Sequence, residues 1–170
     1  MKKIKLLISM LLLVNFSYAT ILNVDNNPNR PSGYFESLPL AINTASTGDT
    51  IYVYPSNTSY GTITITKELH LFGSGYQGTT GSESQIHYLN LDTTTSPSSN
   101  PSGTSIQGFK IYGLNCNKPS ITNIILSGNY FSYAINLSTN CSGWIITNNY
   151  ISYRINILPP ILGQVLPVSY

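Results

Sequence analysis

Charge is what this 170-residue chain has least of: eight Lys and Arg stand beside six Asp and Glu. The acidic residues are Asp25, Glu36, Asp49, Glu68, Glu83 and Asp92, so no carboxylate follows Asp92. Beyond Asp92 the chain therefore offers no acidic side chains for a calcium cage or an acid/base pair. Histidine is nearly missing, and His70 and His87 stand apart, which reads as strand-face residues and not metal ligands. The two cysteines, Cys116 and Cys141, form neither a Cys-x-x-Cys pair nor a cluster with histidine. Neither a metal nor any other cofactor is implied. No apolar run after the first 20 residues is long enough for a bilayer, so no transmembrane span is expected.

The chain begins with Lys2, Lys3 and Lys5, an apolar run over residues 6–14, and Ser17-Tyr18-Ala19. Basic start, short greasy middle and small residues at the end predict a secretory signal peptide over residues 1–19. Thr20 and not Cys follows, which argues against a lipid anchor. The expected location is secreted, extracellular or at the cell surface. Without the leader, five basic residues face six acidic ones, a net charge of −1. That is no electrostatic footprint for nucleic acid.

What is abundant is the vocabulary of strands and turns: Ile, Tyr, Thr, Asn, Ser and Gly. One stretch is written twice. Asn129-Tyr130-Phe131-Ser132-Tyr133-Ala134-Ile135-Asn136-Leu137 returns as Asn149-Tyr150-Ile151-Ser152-Tyr153-Arg154-Ile155-Asn156-Ile157. Repeats of about 20 residues indicate stacked solenoid turns. Upstream, Gly108-Phe109-Lys110-Ile111, Asn123-Ile124-Ile125-Leu126 and Gly143-Trp144-Ile145-Ile146 match as one strand type, second and fourth residues inward. Equal placement makes Asn129 and Asn149 a structural ladder of stacked amides. Cys116 and Cys141 lie about one turn apart, which allows a disulfide; equally, Cys116 can point inward as a small apolar residue.

Residues 20–35 read as a strand and an Asn/Pro-rich loop. Leu38, Ala41, Ile42 and Ala45 then form one apolar stripe at helical spacing, with Ser37 to cap the helix, Pro39 in its first turn and Gly48 to end it. Such a helix suits the open end of the first turn. Alternating strands follow at residues 49–55, 62–66, 69–72 and 85–91. Residues 158–170, with Pro159, Pro160 and Pro167, read as an irregular tail. The fold class is all-β, a parallel β-helix over residues 36–157 with a short N-terminal capping helix.

Ala41-Ile42-Asn43-Thr44-Ala45, Gly48-Asp49-Thr50-Ile51-Tyr52-Val53-Tyr54-Pro55, Tyr60-Gly61, Ile65, Lys67, Leu69, Leu71, Gly73 and Gly75 resemble the entry of secreted pectin-lyase-like proteins. The resemblance implies a right-handed parallel β-helix. It implies carbohydrate as the class of contact, but catalytic and non-catalytic members share this entry. Lys67 with Glu68 reads as a pair of solvated charges, and Lys110 and Arg154 as outward, edge-protecting ones.

The tyrosines are the remaining candidates. Aligned repeats put Tyr130 over Tyr150 and Tyr133 over Tyr153. Such columns stabilise neighbouring strands, and they equally suit extracellular polysaccharide, with Asn136 and Asn156 serving sugar hydroxyls. The expectation is a secreted or cell-surface β-helix protein, carbohydrate-contacting or structural. The alternative is an N-terminal fragment of a polysaccharide lyase or glycoside hydrolase. An open C-terminal coil would also offer an edge for self-association.

Overall fold

Alternation of apolar and polar residues turns one side of each short strand inward. Leu22 and Val24 in β1 (Ile21–Val24), Ile51 and Val53 in β2 (Thr50–Val53), Ile63 and Ile65 in β3 (Ile63–Ile65) and Leu71 in β4 (His70–Phe72) are all buried. The computed structural model describes residues 19–76, 82–93, 99–116, 118, 121–138 and 141–157. The expected signal peptide, apart from Ala19, and the Pro-rich tail lie outside the described residues.

The later strands are β5 (Ser84–Leu91), β6 (Ser105–Gln107), β7 (Phe109–Cys116), β8 (Ile125–Ser127), β9 (Tyr130–Phe131), β10 (Ile135–Leu137), β11 (Ile145–Thr147), β12 (Tyr150–Ile151) and β13 (Ile155–Ile157). Every pairing among these strands is parallel. The chain is a β-solenoid with three faces. Face A is one six-stranded sheet in the order β1-β2-β4-β6-β8-β11. Face B stacks the first half of β5 on the first half of β7, then β9 and β12. Face C stacks β3, the second halves of β5 and β7, then β10 and β13.

β5 and β7 each bend around the corner between B and C, where His87 and Tyr112 fall out of the pairing. On the next level Phe131 and Ile135 pair with Ile111 and Leu114, so one more residue occupies that corner. The extra residue divides one long strand into two short ones.

The other two corners are set by backbone in the left-handed region. Between A and B stand Gly108, Gly128 and Asn148, with φ of 77°, 61° and 53°. Glycine, or the short polar asparagine, tolerates that turn. Gly103, Asn123 and Gly143 have the same sign of φ between C and A. This corrects one sequence alignment. Asn123-Ile124-Ile125-Leu126 and Gly143-Trp144-Ile145-Ile146 do share face A, but their third member begins at Gly103, because Ile106 pairs with Leu126. Gly108-Phe109-Lys110-Ile111 belongs instead with Gly128-Asn129-Tyr130-Phe131 on face B. Both corners demand a left-handed residue followed by an inward side chain, so sequence pattern alone does not tell them apart.

Helix α1 (Leu38–Thr44) packs on β1, β2 and β3 and buries Leu38, Ala41 and Ile42, with Ala45 buried just past its end. Ser37 Oγ accepts from Leu40 N at 3.3 Å. The helix ends at Ala45, not at Gly48, which forms a turn further on. Lys67 is not a free charge: its ammonium donates to Ala45 O at 2.6 Å and Asn43 O at 3.3 Å, meeting the carbonyls that a helix C-terminus leaves open. β1 pairs with β2, so the solenoid already starts within residues 20–35. Its core runs unbroken along the axis, from Val24 and Leu38 through Leu71, Ile106, Phe109 and Phe131 to Trp144.

Candidate binding surface: stacked tyrosines and asparagines

A residue at the same place on successive levels meets its copy about 4.8 Å away, the spacing of hydrogen-bonded strands. Outside the solenoid this rule builds two tyrosine columns. On face B, Tyr130 and Tyr150 are paired residues, with ring centroids 5.1 Å apart and planes within 4°. Tyr76 adds a tilted ring at 5.9 Å from Tyr130, and Ser152 Oγ donates to the Tyr130 hydroxyl at 3.0 Å.

The second column stands on the B–C corner and is longer. Tyr112, Tyr133 and Tyr153 stack at 5.3 and 5.1 Å with planes within 9° and 6°. His87 and Tyr88 pack on Tyr112 at 5.1 Å each, and the Arg154 guanidinium lies 4.7 Å over the Tyr153 ring. Burial, then the neighbouring Tyr112, raises the Tyr88 hydroxyl above its ordinary pKa. Tyr112, Tyr133 and Tyr153 are 39%, 38% and 55% exposed, so the column is open to solvent along its length. Tyr133 has a ring on each face. The column therefore presents hydroxyls and ring edges more than bare faces. Sequence reasoning missed Tyr112, because the extra corner residue shifts it relative to Tyr133.

Asparagines form two further columns. At the A–B corner Asn129 is fully buried. Its Nδ2 donates to Ile106 O at 2.9 Å and to Asn149 Oδ1 at 3.0 Å, and its Oδ1 accepts from Phe109 N at 3.0 Å. Asn149 Nδ2 in turn donates to Leu126 O at 2.7 Å. On the outside of face C, Asn90, Asn115, Asn136 and Asn156 make a continuous chain of amides, at 3.2, 2.9 and 2.6 Å. Asn136 and Asn156 thus spend one donor or acceptor on each neighbouring level, and stand around the corner from Tyr133 and Tyr153. The signal for the whole ladder was an apolar-Asn-apolar triplet at Leu89, Leu114, Ile135 and Ile155.

A third aromatic surface was not foreseen. Ile21, Asn23, Tyr52, Tyr54, Phe72 and Ser74 help line an open cleft of about 530 Å³ on face A. Tyr52 stacks on Phe72 at 5.4 Å, and the Tyr34 and Tyr54 hydroxyls lie 3.1 Å apart, which raises the Tyr54 pKa.

Several charged groups are engaged in holding the fold. Asp49 accepts from Thr20 N and Ser46 N, both at 2.7 Å, and closes a turn. Asp25 accepts from Asn27 N at 2.9 Å, and Arg30 pairs with Glu36 at 2.8 Å. Lys110 does not guard an edge, since β7 lies between β5 and β9; it pairs with buried Glu83 at 2.9 Å. Among the described residues no group of three His, Cys, Asp or Glu could hold a metal ion, and no helix is long and apolar enough to cross a membrane. Cys116 and Cys141 are buried free thiols with sulfurs 3.7 Å apart. The hydrogen bond to Cys141, then burial, pushes the Cys116 thiol well above its ordinary pKa.

No family model matches the chain, and no curated protein or solved structure is significantly similar to it.

Proposed function

We propose that this chain is an exported β-solenoid of the pectin-lyase-like type that binds extracellular polysaccharide along its tyrosine corner, without chemistry of its own. The observation that carries this reading is the column Tyr112–Tyr133–Tyr153, exposed and in line with the solenoid axis. A linear glycan laid along the axis would meet the same ring edge and hydroxyl at every turn. Tyrosine suits that contact, since its body is apolar and its tip is a hydrogen-bonding group. Arg154 adds a positive end to the column, which favours a chain carrying carboxylates. The leader-like start and the entry motif support export and the family. Three of the six carboxylates, Asp25, Asp49 and Glu83, are held in structural contacts, which supports binding over lyase or hydrolase chemistry.

The test is binding of neutral and uronate-containing polysaccharides to the purified protein, by array and then by affinity electrophoresis. Binding that drops at least tenfold in Tyr133→Ala and Tyr153→Ala, with circular dichroism unchanged, is the expected result. A folded protein that retards in no polysaccharide gel, or alanine variants that bind as well as wild type, would overturn it. Replacing Tyr130 and Tyr150 measures whether the face-B column takes part.

A further inference from the structure

We propose that Cys116 and Cys141 are the two halves of a disulfide that closes one complete turn of the solenoid into a covalent ring. Cys116 ends β7 on face C, directly below Leu137 of the next level. Cys141 follows β10, in the corner that leads to β11. The 25-residue separation between them contains the whole intervening level, β8, β9 and β10. Both side chains are buried, Cys116 completely and Cys141 to 7% exposure, and both belong to the same core. Their sulfurs already touch at 3.7 Å. A disulfide bond is about 2.05 Å long, so the two sulfurs have only a short distance left to close.

Two S–H bonds break and one S–S bond forms. Two protons and two electrons pass to a small-molecule or protein disulfide, which is reduced to two thiols. Export, as proposed above, would place the pair where such oxidants prevail. The pairing itself does not depend on the glycan reading. Its position gives the bond a mechanical role. A solenoid unfolds from its ends, level by level. Towards β13 the core thins: Ile151 and Ile155 are only half-buried and Ile157 is exposed. A ring around the level below would stop unwinding there.

The experiment uses the full chain, purified under reducing conditions and then incubated with oxidised glutathione. Denatured samples are alkylated and weighed. The expected product is a monomer lighter by two hydrogens that takes no alkyl group until reduced, with a cross-linked peptide containing Cys116 and Cys141. Its melting temperature should exceed that of the reduced protein by roughly 10 °C, from closing a loop of this length. Cys116→Ala with Cys141→Ala should melt at one temperature whatever the redox state. Two alkylated cysteines after oxidation, a disulfide-linked dimer, a stable mixed disulfide with glutathione, or an oxidised monomer no more stable than the reduced one would each overturn the proposal.

Discussion

Replacing Asn129 by Ala should be among the most damaging single changes available to this chain. The side chain is fully buried at the A–B corner. It is the hydrogen-bond partner of Phe109 N at 3.0 Å and donates to Ile106 O at 2.9 Å. Alanine leaves both of these backbone groups without that partner. A buried polar group left without a partner costs about 1–3 kcal/mol, so two of them cost about 2–6 kcal/mol. That is a large share of the roughly 5–15 kcal/mol that holds a domain together. Asn149 does the same work one level later, but it is itself only half-buried, so its removal opens the site towards solvent. Asn149→Ala should cost about 1–2 kcal/mol, the lower part of the same range. Urea unfolding followed through Trp144, the single tryptophan and almost fully buried, reads both variants against wild type. The decisive quantity is the shift in midpoint at unchanged slope. An Asn129→Ala loss below about 1 kcal/mol, or a larger loss in Asn149→Ala, would refute the argument that burial makes the inner amides expensive to remove.

Two other outcomes follow from single sites. Burial pushes the Tyr60 hydroxyl, which donates to Tyr54 O at 2.8 Å, up to about 12. A raised folded-state pKa means stability that is intact below the unfolded value near 10 and is lost as pH rises towards 12; the loss is roughly 2 kcal/mol, and Tyr60→Phe should flatten that part of a stability–pH curve. At Gly73 an added Cβ would collide with the carbonyl oxygen of Gly108, where Gly73 N and Gly75 N bond to the next level at 2.8 Å each. Backbone cannot yield as a side-chain tip can, so Gly73→Ala should lower the melting temperature by several degrees, whereas at Gly48 the added atom meets nothing and only the left-handed backbone is strained.

The solenoid was legible because its rule is local. Strand alternation and the twenty-residue echo of Asn129 in Asn149 specify parallel stacking before any contact is known. The helix was legible from Leu38, Ala41, Ile42 and Ala45 for the same reason. The tyrosine corner was legible only where the repeat is perfect, at Tyr133 and Tyr153. Tyr112 was hidden by one extra residue between Ile111 and its partner's level, and the cleft at Tyr52, Tyr54 and Phe72 by its dependence on strands of unequal spacing. Lys67 was misread because a charge beside Glu68 looks solvated until the helix end that it caps is seen above it.

The twenty-residue step between the last two levels makes the surface modular in length. A second copy of residues 129–148, inserted after Asn148, would hand the chain on to Asn149 in the same register. Each tyrosine column would gain one ring and each asparagine ladder one amide, with contacts of the same kind between successive levels. On the proposed glycan-binding reading, reach along a polymer would then change by gene duplication alone, in increments of one turn.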